Sequence, residues 1–302
     1  MAVSGDSKLT AIPVWSAAII HGWFILFSLF CVVPFLFVLS GSFTDETALT
    51  VEGYRLIPAE FSLSAYRYVL ERPDALIRGY LVSAIVTAAG TAFALFVSTL
   101  LGYAITRKDY SYRNATSFYI FFTMLFSGGL VPWYILIVNY LHLGDTLFAL
   151  ILPYTVIPMF VLFLKGFLSG IPHELYESAK IDGAGEWTIF VRVVLPLSKP
   201  GLATVGLFYA LHYWNDWYLS LMFIDNNKLI PLQAILYRLM NDIDFLTKNA
   251  VVAASVGVDF SRLPSETARM ATAVLAAGPM LVVFPFFQKY FVKGLIVGSV
   301  KE

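Results

Sequence analysis

The sequence predicts an all-α, polytopic membrane protein, and three observations carry that prediction. Of the 302 residues, 59% are hydrophobic and 16% aromatic while only 13% are charged, which lies outside soluble usage. Windows of about 19 residues reach membrane hydropathy six times, each run near the ~20 residues that a ~30 Å hydrocarbon core requires. The remaining polarity is gathered into the connections, above all one compact segment at 171–196. The formal charge is zero and the pI near neutral, so the chain has no electrostatic footprint for nucleic acid. The only cysteine, Cys31, lies inside the first apolar run and excludes an intrachain disulfide or a site of paired thiolates.

The six spans fall at 15–41, 78–105, 116–140, 145–168, 200–224 and 269–290. The first is longer than the roughly 7 to 15 apolar residues of a signal peptide, and no small-x-small cleavage site follows it, so it reads as a retained helix. Pro34, Pro132, Pro153, Pro158, Pro279 and Pro285 fall inside spans, where kinks shape a pathway or merely the packing. The short connection RKDYSYRN carries Arg107, Lys108 and Arg113 and marks its side as cytoplasmic, although the overall Lys/Arg bias is slight. That assignment puts both termini and 169–199 inside, and 42–77, the turn near 141–144 and 225–268 outside. The outer segments, such as YRLIPAEFSLSAYRYVL, read as ordered caps and not as linkers.

In ELYESAKIDGAGEWTIFVRVVLP, Pro172 suits a first helical turn, and Leu175, Tyr176 and Ala179 recur at helical spacing. Gly183 follows Asp182 where a helix would end in a left-handed residue. A second helix starts at Glu186, with Trp187, Phe190 and Val194 on one side, and breaks at Leu195-Pro196; Ser198 and Pro200 then offer an N-cap and first turn to the fifth span. Two such short helices cannot bury their own aromatic side chains, so they dock against another body or rest on lipid headgroups.

Glu177-Ser178-Ala179, three residues, Gly183, nine residues, then Val193-Val194-Leu195-Pro196 resembles the EAA signature of bacterial ABC-importer permeases, E-A-A-x3-G-x9-I-x-L-P. Ser178 replaces the middle alanine and Val193 the isoleucine, both conservative in size or branching. WNDWY and FPFFQKYFVKGLIVGSVK extend the resemblance over nearly the whole chain, toward the carbohydrate-uptake branch related to the maltose permease and in particular the LplC/YtcP-like oligosaccharide permeases; Glu302 stands where that pattern has glycine. The resemblance implies a single permease domain over 1–302 in a bacterial cell membrane, paired with a second homologous permease. It also implies an extracellular substrate-binding lipoprotein and a cytosolic ATPase dimer that alone binds ATP and Mg. Glu177, Ser178, Ala179, Asp182, Gly183, Leu195 and Pro196 would then form the contact with the ATPase, Glu177 reaching a basic group there.

In HYWNDWY, Asn215 and Asp216 sit near the middle of the expected fifth span, where an acid is costly unless it faces the bundle interior or a wet cavity. Trp214, Asn215 and Asp216, with Tyr154, Asn139 and Tyr134, are candidate sugar-pathway residues; the alternative is that Asn215 and Asp216 tie spans together. At about 100° per residue, three consecutive side chains cannot all enter one cavity. Arg238, Arg262 and Arg269 fall on or near the outer side, where they could attract uronates. His212 and Asp216 are four apart, which permits acid-base chemistry, but no HExxH, GxSxG, GxGxxG or second intramembrane carboxylate accompanies them. A channel is the other alternative, without a filter-like loop or charge ring to support it. The chain lacks a Walker A sequence, carries no cofactor of its own, and reads as a transport subunit and not an enzyme.

Overall fold

The computed structural model describes residues 14–71, 73–249 and 265–299, so Arg262, Glu302 and residues 1–13 lie outside the described residues. Among these the regular elements are helical, with one isolated bridge between Thr44 and Phe61. The helices are α1 (Val14–Ser42), α2 (Glu46–Glu52), α3 (Ser64–Val69), α4 (Pro73–Thr106), α5 (Arg113–Leu125), α6 (Leu130–Tyr140) and α7 (Leu147–Tyr154). There follow α8 (Pro158–Leu168), α9 (His173–Ile181), α10 (Glu186–Leu197), α11 (Lys199–Trp214), α12 (Tyr218–Phe223), α13 (Leu232–Lys248) and α14 (Ser265–Ser299). Trp15–Ser42, Pro73–Thr106 and Ser265–Pro285 are each long and apolar enough to cross a membrane, and three bent pairs bring the number to six if each pair is one span.

The bends have local causes. The α5–α6 pair, expected as one span over 116–140, turns by 115° at Phe126–Gly129, where Gly129 takes φ +87°, a backbone open to glycine. The α7–α8 pair bends by 52° because Pro158 opens α8 and holds Ile157 extended. Pro34, Pro279 and Pro285 stay inside single helices.

Two expected boundaries are corrected. The helix from Glu186 does not break at Leu195-Pro196. It widens into a π turn over Phe190–Val194, with the Leu195 N–H donating to the Phe190 carbonyl, which makes room for the proline ring, and it continues to Leu197. The 82° bend into α11 follows at Ser198, whose hydroxyl is buried without a partner and makes no capping bond. The fifth span does not run unbroken over 200–224 either. It stops at Trp214, so Asn215 and Asp216 occupy a helix break before α12 and not mid-helix.

The described residues fall into two compact units, one within Met1–Glu71 and Ile243–Leu275, the other within Arg72–Asp242 and Ala276–Glu302. In the first, the Glu46 carboxylate accepts from the Glu266 and Thr267 N–H groups at 3.0 and 2.9 Å, satisfying the first turn of α14. Arg269 pairs with Asp244 and Glu266 in this unit. In the second, α4 is the hub. Gly90, Ala94, Ser98 and Gly102 recur along its buried face and let α11 and α8 approach closely, while Gly79 and Ser83 meet Leu232 of α13. A Cβ on Gly90 would lie 2.8 Å from the Tyr213 ring, and one on Gly102 3.2 Å from Leu164. Leu164, Leu168, Ile189, Phe190, Val205 and Tyr209 fill the core around it. The segment after α12 carries the amphipathic α13 and is ordered there, not a linker.

Candidate functional site

Two places in the second unit concentrate polarity, and they lie at opposite ends of α11, roughly 24 Å apart at 1.5 Å per residue.

At its N-terminal end stands the α9–α10 elbow. α9 ends in a Schellman motif: the Ala184 N–H reaches the Ala179 carbonyl at 2.9 Å, and the Gly183 N–H reaches that of Lys180 at 3.0 Å. Asp182 is the C-cap, and Gly183 has φ +78° with nothing within 4 Å of a would-be Cβ, so glycine is required by the backbone and not by space. Tyr176, Ile189, Phe190 and Val194 anchor the pair in the core, with Ala179 and Leu195 packed beside them. Glu177, Ser178, Asp182 and Pro196 face outward. The Glu177 side chain is 65% exposed, with His173 Nδ1 at 3.1 Å.

Beneath the elbow four charges close a ring that the sequence reading missed. Asp109 Oδ2 lies 2.7 Å from both Arg107 Nη2 and Lys180 Nζ, and Glu186 Oε1 lies 3.0 Å from Lys180 Nζ and 3.2 Å from Arg107 Nη2. Tyr103 donates its hydroxyl to Glu186 Oε2 at 2.7 Å, and the Arg107 guanidinium sits over the Tyr176 ring at 4.8 Å. Lys180 and then Arg107 hold the Asp109 carboxyl down to about 2. For Glu186, burial pushes upward, but Tyr103, Lys180 and Arg107 outweigh it and leave the carboxyl below its ordinary value. The loop RKDYSYRN had supplied only a topology signal; its acid among bases, and opposite charges three residues either side of Gly183, were the available clues.

At the C-terminal end of α11 a cavity of about 520 Å³ is lined by Phe160, Phe163, Phe208, Leu211, His212, Asn215, Asp216 and Trp217. Tyr154 donates to Asp216 Oδ1 at 3.0 Å and sets its ring edge-on to His212, with centroids 4.2 Å apart. Asp216 Oδ2 accepts from the Leu219 N–H at 3.2 Å, and Asn215 Nδ2 bonds the Leu211 carbonyl at 2.9 Å. The structure thus brings Asn215, Asp216 and Tyr154 together. Trp214 is buried elsewhere, donating to the Ala276 carbonyl at 3.0 Å. Asn139 is exposed on α6 and does not line the cavity, and Tyr134 stacks on Phe223 beside a separate pocket. The phenylalanines of α8 and α11 carried no sequence signal apart from their abundance. Among the described residues no cluster of His, Cys, Asp and Glu could hold a metal ion.

Apolar helices broken around an aromatic and carboxylate cavity, joined by one helix to a polar elbow, define a polytopic membrane transport subunit. The chain belongs to the family of binding-protein-dependent transport system inner membrane components, which matches residues 98–297. It is 39% identical over 289 residues to the polygalacturonan/rhamnogalacturonan transport system permease protein YtcP of Bacillus subtilis (strain 168), covering 94% of this chain and 97% of that one. Protein LplC of the same strain is 39% identical over 270 residues, 89% of each chain. Among solved structures, a chain of a bacterial ABC transporter involved in the import of the acidic polysaccharide alginate is similar at a TM-score of 0.75 and 25% identity, over 95% of this chain and 100% of that one. The resemblance read from the EAA-like spacing therefore holds at the level of the family.

Proposed function

We propose that this chain is one of two permease subunits of an ATP-driven bacterial importer and lines the path of an oligosaccharide. The observation that carries this reading is the elbow, in which a rigid Schellman turn presents Glu177, Ser178 and Asp182 outward while its apolar face is locked into the helix bundle. Such a body suits a lever between two proteins. We assign its outward face to a cleft of a cytosolic ATPase dimer, which binds ATP and Mg, and Glu177 to a basic group there. On this reading the elbow and both termini are cytoplasmic, and a binding lipoprotein delivers sugar from outside to a path shared with a second, homologous permease. The cavity suits a sugar, because phenylalanine and tryptophan rings stack on C–H faces while Asn215, Asp216 and His212 offer hydrogen bonds.

The test is reconstitution of the complete transporter in vesicles, with uptake of a panel of neutral and uronate-containing oligosaccharides measured with and without ATP. ATP-dependent accumulation of at least one of them is expected. Uptake that needs no ATPase would favour the channel alternative and overturn the proposal.

A further inference from the structure

We infer that Arg107, Asp109, Lys180 and Glu186 are positioning residues that fix the angle of the elbow and tie its displacement to α4; the inference rests on the reading of α9–α10 as an ATPase-driven lever. The geometry is that of a closed square of alternating charge, with contacts of 2.7, 2.7, 3.0 and 3.2 Å. Two of its corners, Lys180 and Glu186, stand three residues either side of Gly183, one on each arm of the elbow. The other two stand one and three residues past Thr106, the last residue of α4. Neither arm can therefore swing about Gly183 without breaking contacts to the loop, and both arms moving together must carry the end of α4.

The ring differs from an ordinary surface pair. The Arg107 side chain is 8% exposed and lies over the Tyr176 ring, while the other three members are about half exposed. Removing one acid leaves a desolvated guanidinium short of a partner, which costs far more than loss of a solvated pair. Farther along α4, Ser98 meets the Tyr209 hydroxyl at 2.6 Å and Gly90 seats the Tyr213 ring, both on α11 just before the cavity. Displacement of the elbow thus reaches the cavity by two routes, through α10 into α11 and through the ring and α4. The ring joins the two routes by charge, beside the packing of Tyr103 of α4 on Tyr176 and Phe190 of the two arms.

The test uses the complete transporter in vesicles, with Asp109→Asn, Lys180→Met and their double variant, and with Glu52→Gln, which removes the exposed Arg55–Glu52 pair, as control. Assembled amount, ATP hydrolysis and sugar uptake are read separately. Assembly is expected to persist while ATP consumed per sugar rises by roughly 2- to 30-fold, the range seen for residues within coupled networks. The double variant should be no worse than the worse single one, because either change opens the same ring. A ratio of ATP to sugar unchanged from wild type, with uptake falling only as assembly falls, overturns the inference and leaves the ring a folding device; so does full additivity. Wild-type vesicles whose uptake needs no ATP would overturn the lever reading itself, an outcome visible before any variant is made.

Discussion

Gly183 offers the sharpest test of the elbow. Its φ of +78° lies in the left-handed region, and a Cβ there would meet nothing within 4 Å, so any penalty for a side chain comes from the backbone alone. An L-residue other than Asn or Asp pays about 1–2 kcal/mol to hold that conformation, and a β-branched residue sits at the upper end or beyond. Gly183→Ala is therefore expected to shift the elbow equilibrium by about 5- to 30-fold, Gly183→Val by at least that much, and Gly183→Asn by clearly less. The assay is uptake and ATP hydrolysis by reconstituted transporter, normalised to the assembled amount on a sizing column. Insertion and assembly should survive in all three variants, and ATP hydrolysis should come apart from uptake in the order Val, Ala, Asn. If Asn is as damaging as Val, side-chain volume matters and the open space around Gly183 has been misread. If Val transports as wild type does, the left-handed turn is not what sets the elbow.

Gly90→Ala places a methyl 2.8 Å from the Tyr213 ring and should lower stability of the purified protein by about 1–3 kcal/mol, while Gly22→Ala, in a helix interior with open space around it, should not lower it and should raise it by up to about 1 kcal/mol. Asp109 has a carboxyl depressed to about 2 from an ordinary 3.8, so its stabilisation is complete above that ordinary value and is lost as pH falls from about 4 to 2. Hydrogen exchange at the elbow should be flat from pH 8 to 5 after correction for intrinsic rates, accelerate below 4, and lose that acid step in Asp109→Asn. A reporter fused within 107–113 or after residue 302 should be cytoplasmic and one within 225–249 external; the reverse would overturn the topology and the lever together. Asn215→Ala loses only a bond within its own helix, so it should reduce uptake with assembly intact, whereas Asp216→Asn, with partners on both oxygens, should reduce both.

Much of the fold was legible because hydropathy is a one-dimensional signal. Three apolar runs emerge as long helices, two as pairs bent at Gly129 and Pro158, and the fifth span as α11 and α12 with a break at Asn215–Trp217. What eluded the sequence was the degree of bending. Pro34, Pro279 and Pro285 leave their helices unbroken, whereas Gly129 turns a chain by 115°. Inside a helix proline only removes one donor and crowds one carbonyl, which neighbouring turns absorb here, whereas Pro158 at a helix start bends the chain by 52°. A glycine at positive φ reverses the path outright. The elbow itself was legible, since helix, C-cap and glycine are local. The ring was not, because its long contacts join residues 71 and 79 positions apart, and no local pattern encodes such a pairing.

The WNDWY stretch shows how an expected cavity can arise from a geometry other than the expected one. An acid inside a membrane helix implies a cavity because the helix itself offers it no donors. Here the helix ends first: α11 stops at Trp214, α12 begins at Tyr218, and the break leaves backbone N–H groups that need acceptors. Asp216 takes the Leu219 N–H with one oxygen and the Tyr154 hydroxyl with the other, so carboxylate and break explain each other without any ligand. Yet a break also turns side chains out of the helical stack, and the same two residues that satisfy it, Asn215 and Asp216, become walls of the cavity. The structural and the transport reading of this stretch are therefore not rivals. Under the proposed function, Asn215, whose side-chain amide bonds only its own helix, would be the residue to meet a sugar, while Asp216 would hold in place the wall against which it rests.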